Sequence, residues 1–451
     1  MKDKHTQCVE KHLPKFYQQR KHLMKKLLTL ALSLSAICSF GQSSLKAKIN
    51  TKADAIDSKV VAWRRNIHQN PELGNREFKT AAKIAAHLKS LGIEVQEKVA
   101  YTGVVGILKG GKPGPVVLLR ADMDALPVTE RADIPFKSNV VTEYNNQKTG
   151  VMHACGHDTH VAILMGVAEV LSSMKNDLAG TVKFCFQPAE EGAPAGEEGG
   201  ADLMIKQGVM ENPKVDVAFG LHINSQTNVG QIRYRSGPEM AAADTYTLKI
   251  KGKQTHGASP WSGTDPIVTG SQIVMAYQTI ISRNVDITEN PAIVTVGAFN
   301  AGIRSNIIPE EATMIGTIRT FSEVQQQLIH RRMQEIATNI AESAGATADL
   351  KINIGVPVTY NDPALTEKMG PTLTALAGKE NILTAPLATG AEDFSFFGKK
   401  VPAFFFFLGG KPIGSTAAAP HHTPDFFIDD SGLGLGVKAL CHLTVDYFEK
   451  K

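Results

Sequence analysis

The segment MHACGHDTH, Met152 to His160, packs one cysteine, three histidines and one aspartate into nine residues. A thiolate among imidazoles suits zinc or a similar first-row divalent ion better than magnesium or calcium, which prefer oxygen ligands. Four more clusters of metal-liking side chains each follow an apolar, strand-like run. VVLLR leads into Asp122 and Asp124, TVKFCFQP into Glu190 and Glu191, VDVAFGL into His222, and AFFFFLGG through a loop to His421 and His422. Sites in open α/β sheets form beyond the carboxyl ends of the strands, so positions about 300 residues apart are expected to converge on one edge. Cys155, His157, Asp158 and His160 open a helix at the same edge. PAEEG sets two carboxylates side by side. In extended backbone they point to opposite sides, one free to bind metal and the other to shuttle protons. An exposed acidic turn is the alternative.

The elements that must position these residues follow a simple order. Helices are expected over 52–70 and across EFKTAAKIAAHLKSLG, the second closed by Gly92. Short β-rich runs then alternate with the helical patterns THVAILMGVAEVLSSM and GADLMIKQG, which argues for an α/β domain with a largely parallel central sheet. From about Glu239 the rhythm becomes β-α-β-β-α-β, the ferredoxin-like unit. After about Pro357 the first pattern resumes and ends in the helix GLGLGVKALCHLTVDYF. The expected divisions are an N-terminal extension over 1–41, a first catalytic part over 52–238, an inserted domain over 239–356, and a second catalytic part over 357–451.

The chain has 451 residues, more than one compact core usually supports. A formal charge of +4, with no basic stripe interleaved with aromatics, gives no support for nucleic-acid binding. From Met24 the sequence runs MKKLLTLALSLSAICSFGQSS: lysines, an apolar stretch, then small residues. That order is the signature of a secretory signal, so export to the periplasm or beyond is expected, and Met24 competes with Met1 as the start. The apolar stretch is too short to span a bilayer comfortably, so no membrane span is expected after cleavage. Cleavage near Gly41 would leave Cys155, Cys185 and Cys441, too few for a disulfide framework. Cys185 and Cys441 sit in apolar strand and helix patterns and read as core; Cys155 does not.

RADMDALP, MHACGHDTH, QPAEEG, GLH, THGASP, SNIIPE, GTIRT, GAEDF and HHTP, in that order, resemble the M20 metallopeptidase family. The match is to its amidohydrolase branch of hippurate, N-acyl-amino-acid and auxin-conjugate hydrolases, and it runs from about Asp57 to the C-terminus. The resemblance implies a zinc-peptidase-like α/β catalytic domain with an inserted ferredoxin-like α+β lid domain, in agreement with the segment order. It implies two divalent ions, zinc or else manganese, cobalt or nickel, held by Cys155, His157, Glu191, His222 and His422, with Glu190 as general base. The branch pattern of His, a small residue and Pro selects His422 over His421. Much of the wider family has His-x-Asp where this chain has DMD, so Asp122 and Asp124 are expected behind the ligands, orienting them. His153 and His160 are assigned structural or supporting places, and Glu392 and Asp393 are expected to back the metal edge. On the lid, His256 would polarise the scissile carbonyl while Asn306 and Arg319 hold the substrate's carboxylate. The activity implied is hydrolysis of an N-acyl amino acid, hippurate-like or a related conjugate, by a metal-activated water. A dipeptidase or carboxypeptidase, or a non-catalytic binding protein on the same fold, are the alternatives. A homodimer through the lid domain is also implied.

Overall fold

A computed structural model describes residues 45–449. The expected export signal, with Met24, Cys8 and Cys38, lies outside the described residues. The central sheet has eight strands, in the order Glu94–Val99, Gly103–Lys109, Ala179–Gln187, Lys112–Asp122, Val217–Asn228, Ala403–Lys411, Ile232–Tyr234 and Ile382–Thr384. The four middle strands are parallel neighbours, and the antiparallel pairings lie toward the edges.

Side chains along these strands alternate between two cores, as the period of two requires. Val117, Leu119, Phe184, Phe219 and Phe404 join one core, while Val116, Leu118, Cys185, Ala218 and Phe405 join the other. Helices 45–69, Phe78–Ser90, His157–Ser172, Pro363–Ala377 and Leu433–Glu449 cover the first face; Gly200–Lys206 and the segment around Phe394 cover the second. Burial on both faces is why these strands read as unbroken apolar runs. Cys185 and Cys441 are buried free thiols within the packing.

The first helix starts ahead of the expected position 52 because tertiary contacts extend it. Lys46 pairs with Asp446 at 2.6 Å, and His442 Nε2 donates to Asn50 Oδ1 at 2.8 Å, fastening its first turns to the closing helix.

Between Gly237–Met240 and Thr359–Asn361, which pair with each other, the chain builds a second unit. Its antiparallel sheet has the order Ala292–Ala301, Glu311–Thr320, Ala242–Lys251, Thr347–Val356. Helices Pro266–Arg283 and Glu323–Ser343 pack on one face through Ile273, Tyr277, Met333 and Ala337, giving the unit its own core. The other face is open, so Ala242–Lys251 alternates buried and more exposed positions instead of reading as a solid apolar run. Asn361 seals the return: its Nδ2 donates to Arg235 O, Glu239 and Phe405 O, and its Oδ1 accepts from Phe405 N.

His442 gives a stability prediction. Burial, then Lys46, pushes its pKa down to about 4 from the ordinary histidine value of 6.5. Between those values the unfolded chain binds more protons than the folded one, so stability falls as pH falls through that window. His442→Gln should flatten the decline, read as a smaller drop in the urea midpoint between pH 7 and pH 4.5; identical drops in both proteins would refute the assignment.

Candidate metal centre

The ends of four central strands and the start of helix His157–Ser172 meet where the sequence placed its clusters. Three-residue groups whose donor atoms lie within 4.8 Å of one another are Cys155–His157–His222, Cys155–Glu191–His422, His157–Glu190–Glu191, Asp122–His157–His160 and Glu190–Glu392–Asp393. The turn into the helix is specified by Gly156, whose φ is +93°; a Cβ there would stand 2.4 Å from Ile223 Cγ2. Only glycine accepts that backbone so close to a neighbouring strand.

The imidazoles sort themselves by what each nitrogen already holds. His157 donates Nδ1–H to Asp124, with the main-chain oxygen at 3.0 Å and the carboxylate Oδ1 at 3.1 Å. With Nδ1 engaged, Nε2 is the nitrogen left to meet a metal. This Nε2 is buried without a hydrogen-bond partner among the described residues, and carboxylate oxygens of Asp122, Glu190 and Glu191 stand 3.7, 3.8 and 3.9 Å away. His222 donates Nδ1–H to Ile223 O at 2.6 Å and turns Nε2 toward Cys155 Sγ at 3.4 Å. His422 places Nε2 at 3.3 Å from the same sulfur and 3.0 Å from Glu191 Oε1.

His160 and His421 have no such nitrogen to offer. His160 bonds Asp122 through Nδ1 and accepts from Ile223 N at Nε2. His421 donates to Cys155 O at 3.1 Å and accepts from Ser225 N at 3.2 Å. His153 is buried with neither nitrogen partnered among the described residues, and burial pushes its pKa down to about 3, so it stays neutral.

The PAEEG segment corrects one expectation. Glu190 and Glu191 are not on extended backbone: they sit in a turn entered through Ala189, a non-glycine residue at φ +49°. Both therefore reach the same side, toward His157 Nε2. Glu77, buried, holds the strained residue by accepting from Ala189 N at 2.9 Å, and Asp124 Oδ2 accepts from Glu191 N at 2.9 Å.

Buried acid outnumbers buried base here. Arg120 bonds Asp122, Glu392 and Asp393 at 2.6, 2.8 and 2.9 Å and Gln187 at 2.9 Å. Burial opposes ionisation of Asp122, but Arg120, His157 and His160 together more than offset it and hold that carboxyl well below its usual range. Burial, then Glu392 and Glu191, pushes Glu190 well above it. Burial also raises Glu392 to about 7 and Asp393 to about 6. Unpartnered buried acids are costly, and a divalent cation relieves them directly. The orphaned His157 nitrogen, the Cys155 sulfur and this acid surplus together fit such an ion. Arg120 and Glu77 were not singled out from sequence; for Arg120 the available signal was a charged residue inside an otherwise apolar strand.

The residues expected on the lid sit apart from this cluster. Thr255–His256 pairs antiparallel with Ile307–Ile308, and Gly257 N donates to Asn306 O at 2.9 Å, so His256 and Asn306 are exposed neighbours. Arg319 lies opposite Ala243 and Ile293, toward the other end of the inserted sheet. Among the described residues no hydrogen bond or ion pair joins any of the three to the cluster.

Residues 118–446 match the model of Peptidase family M20/M25/M40. The chain is 39% identical over 408 residues to Thermostable carboxypeptidase 2 of Saccharolobus solfataricus, covering 90% of this chain and 100% of that one. It is 40% identical over 316 residues to N-acyl-L-amino acid amidohydrolase of Geobacillus stearothermophilus, covering 70% of this chain and 81% of that one. The crystal structure of the YXEP protein of Bacillus subtilis, described as a dinuclear metal binding peptidase of the M20 family, superposes with a TM-score of 0.74 at 32% identity over 88% of this chain and 100% of that one. Sequence, fold and donor set agree, and the chain belongs to peptidase family M20/M25/M40 as one of its metal-dependent hydrolases.

Proposed function

We propose that the protein hydrolyses the amide bond of N-acyl amino acids, with Glu190 as general base. Cys155, His157, Glu191, His222 and His422 would hold two divalent ions, Cys155 being common to two of the three-donor groups. Bound there, the ions would polarise the substrate carbonyl and acidify a water. The observation that carries the reading is the position of Glu190. It reaches within 3.8 Å of the unpartnered His157 nitrogen, from a strained turn, beside a donor set that is complete without it. Glu190 takes the proton of the attacking water and returns it to the leaving nitrogen, giving a carboxylate and a free amino acid. Asp124 keeps His157 in the tautomer that presents Nε2. The carboxypeptidase reading rests on the named activity of the Saccharolobus relative, and a panel of N-acetyl, N-benzoyl and dipeptide substrates separates the two. The signal-like stretch after Met24 supports action outside the cytoplasm.

The lid residues support a two-chain arrangement. His256 belongs to the short pair of Thr255–His256 with Ile307–Ile308, which follows the end of the inserted sheet where Lys251 meets Glu311, whereas Arg319 lies toward the opposite end of that sheet. This separation favours a substrate shared between two chains, with His256 at the carbonyl and Arg319 on the carboxylate. Among the described residues the edge strand Ala292–Ala301 has an unpaired side, and helix Pro266–Arg283 exposes Ile267, Val268 and Met275. A second copy would cover this face.

Glu190→Gln should lower kcat by about 10²–10⁴-fold while metal content, measured by atomic emission, stays at the wild-type level; full activity in that protein would remove Glu190 from the mechanism. Exhaustive chelation should abolish turnover and lower Tm, and zinc, manganese, cobalt or nickel added singly should restore both. A Tm indifferent to chelator would count against the five-residue donor set. Met275→Glu combined with Ile293→Lys should convert a dimer to a monomer in light scattering, and a monomeric wild-type protein would overturn the two-chain reading.

A further inference from the structure

The segment PELGNREF, Pro71 to Phe78, packs against the turn that carries Glu190 and Glu191. We propose that Glu77 is a positioning residue for the hydrolysis. By holding Ala189 at positive φ it aims the Glu190 carboxylate, and turnover slows when that hold is lost. The inference rests on the reading of Glu190 as general base and adds what keeps the base in place.

The turn is held from both sides. Glu77 Oε1 accepts from Ala189 N at 2.9 Å and Asp124 Oδ2 accepts from Glu191 N at 2.9 Å, so Glu190 lies between two main-chain groups anchored on acids. Ala189 stands at φ +49°, a conformation that a Cβ disfavours and that persists only where the surroundings impose it.

The Glu77 side chain is spared for this task. An oxygen-bearing residue at the N-cap of a helix ordinarily bonds the free N–H groups of its own first turn. Glu77 is the N-cap of helix Phe78–Ser90 and makes no such bond. Glu72 serves instead, accepting from Lys79 N at 3.0 Å and Thr80 N at 2.8 Å. Glu77 is fully buried, and its Oε2 accepts from Thr102 Oγ1 at 2.5 Å. Burial, then the charge of Asp124, pushes its pKa up to about 7. A buried carboxyl beside a second acid is costly, and a leucine or methionine would fill the space without that cost. Packing therefore does not account for the residue, whereas the bond to Ala189 does.

The same segment fixes the chain on either side of this bond. A Cβ on Gly74 would stand 2.9 Å from Gly192 O and 3.1 Å from Ala189 Cβ, so the segment lies directly on the turn. Asn75, buried at φ +57°, donates Nδ2 to Glu198 O and to Glu197 Oε2, both at 3.0 Å, and Arg76 pairs with Glu197 at 2.6 Å. The base is thus set in place before substrate arrives, and preorganisation of this kind acts on the chemical step.

The test uses the full, zinc-loaded chain with N-acetyl-alanine, N-benzoyl-glycine and alanyl-alanine. Glu77→Leu should lower kcat by about 10- to 100-fold, with KM within about twofold and zinc content at the wild-type level. Glu77→Gln keeps an acceptor for Ala189 N and should recover most of that loss. Glycine adopts positive φ without strain, so Glu77→Leu should cost less in an Ala189→Gly background, a double-mutant cycle that general destabilisation would not move. Deuterium exchange of the peptide Pro188–Gly192, read by mass spectrometry, should quicken in Glu77→Leu and stay slow in Glu77→Gln. If Glu77→Leu does not fold, Glu77→Ser, too short to reach Ala189 N, takes its place in every comparison. An unchanged kcat, an unchanged exchange rate, or an equal loss in both Ala189 backgrounds would overturn the proposal. A wild-type chain that turns over none of the three substrates contradicts the amidohydrolase reading instead, and the exchange comparison then decides whether Glu77 holds the turn.

Discussion

The acidic edge of the central sheet depends on one buried guanidinium. Arg120, fully enclosed at the end of strand Lys112–Asp122, contacts Asp122, Glu392, Asp393 and Gln187 at once. A lysine ammonium lacks the planar fork needed to serve carboxylates lying in different directions. Removing the guanidinium would strand several carboxylates in a low-dielectric interior, a loss of about 3–5 kcal/mol for a typical broken buried pair. Even with Arg120 present, burial and the neighbouring Glu392 and Glu191 push Glu190 well above its usual range. The same surplus that burdens folding creates the demand for a divalent ion, so stability and chemistry share one cause.

The density of MHACGHDTH follows from helix geometry. Successive residues of a helix diverge by about 100°, so one turn can serve several neighbours. His157 faces the carboxylates of the centre, while Asp158 faces Arg64 at 2.7 Å and His68 at 2.9 Å behind it. His160 faces Asp122 and Ile223 N. Asp158 also sits in the first turn of its helix, where the backbone dipole favours negative charge. Arg64 continues to Asp430 at 3.1 Å, fixing the first helix and the entry to the last one against the same turn. The cluster is dense because a single turn holds the metal edge and three supporting structures together.

Much of this was legible in sequence because a parallel sheet covered on both faces writes itself as apolar runs, and because donor residues follow such runs. The order of elements in the inserted unit was legible for the same kind of reason, alternation on a half-open sheet. The orientation of Glu190 and Glu191 was not, since it turns on Ala189 taking a positive φ held by Glu77 from far away in the chain. The resemblance pointed to His422 over His421, but the reason was hidden: both nitrogens of His421 are engaged by main-chain groups, and main-chain partners leave no mark on residue type. The supports Arg64, His68 and Glu130 escaped notice because each alone resembles an ordinary surface residue, and only the packing shows them buried.

The donor cluster and the inserted unit belong to different parts of this molecule. The donor cluster lies in the central unit, where Asp158 is tied through His68 to Glu130. The inserted unit has a core of its own, and His256, Asn306 and Arg319 depend on where that body stands relative to the sheet edge. Motif order can name such residues, but it cannot place them, because no local pattern encodes the relation between two separately packed cores.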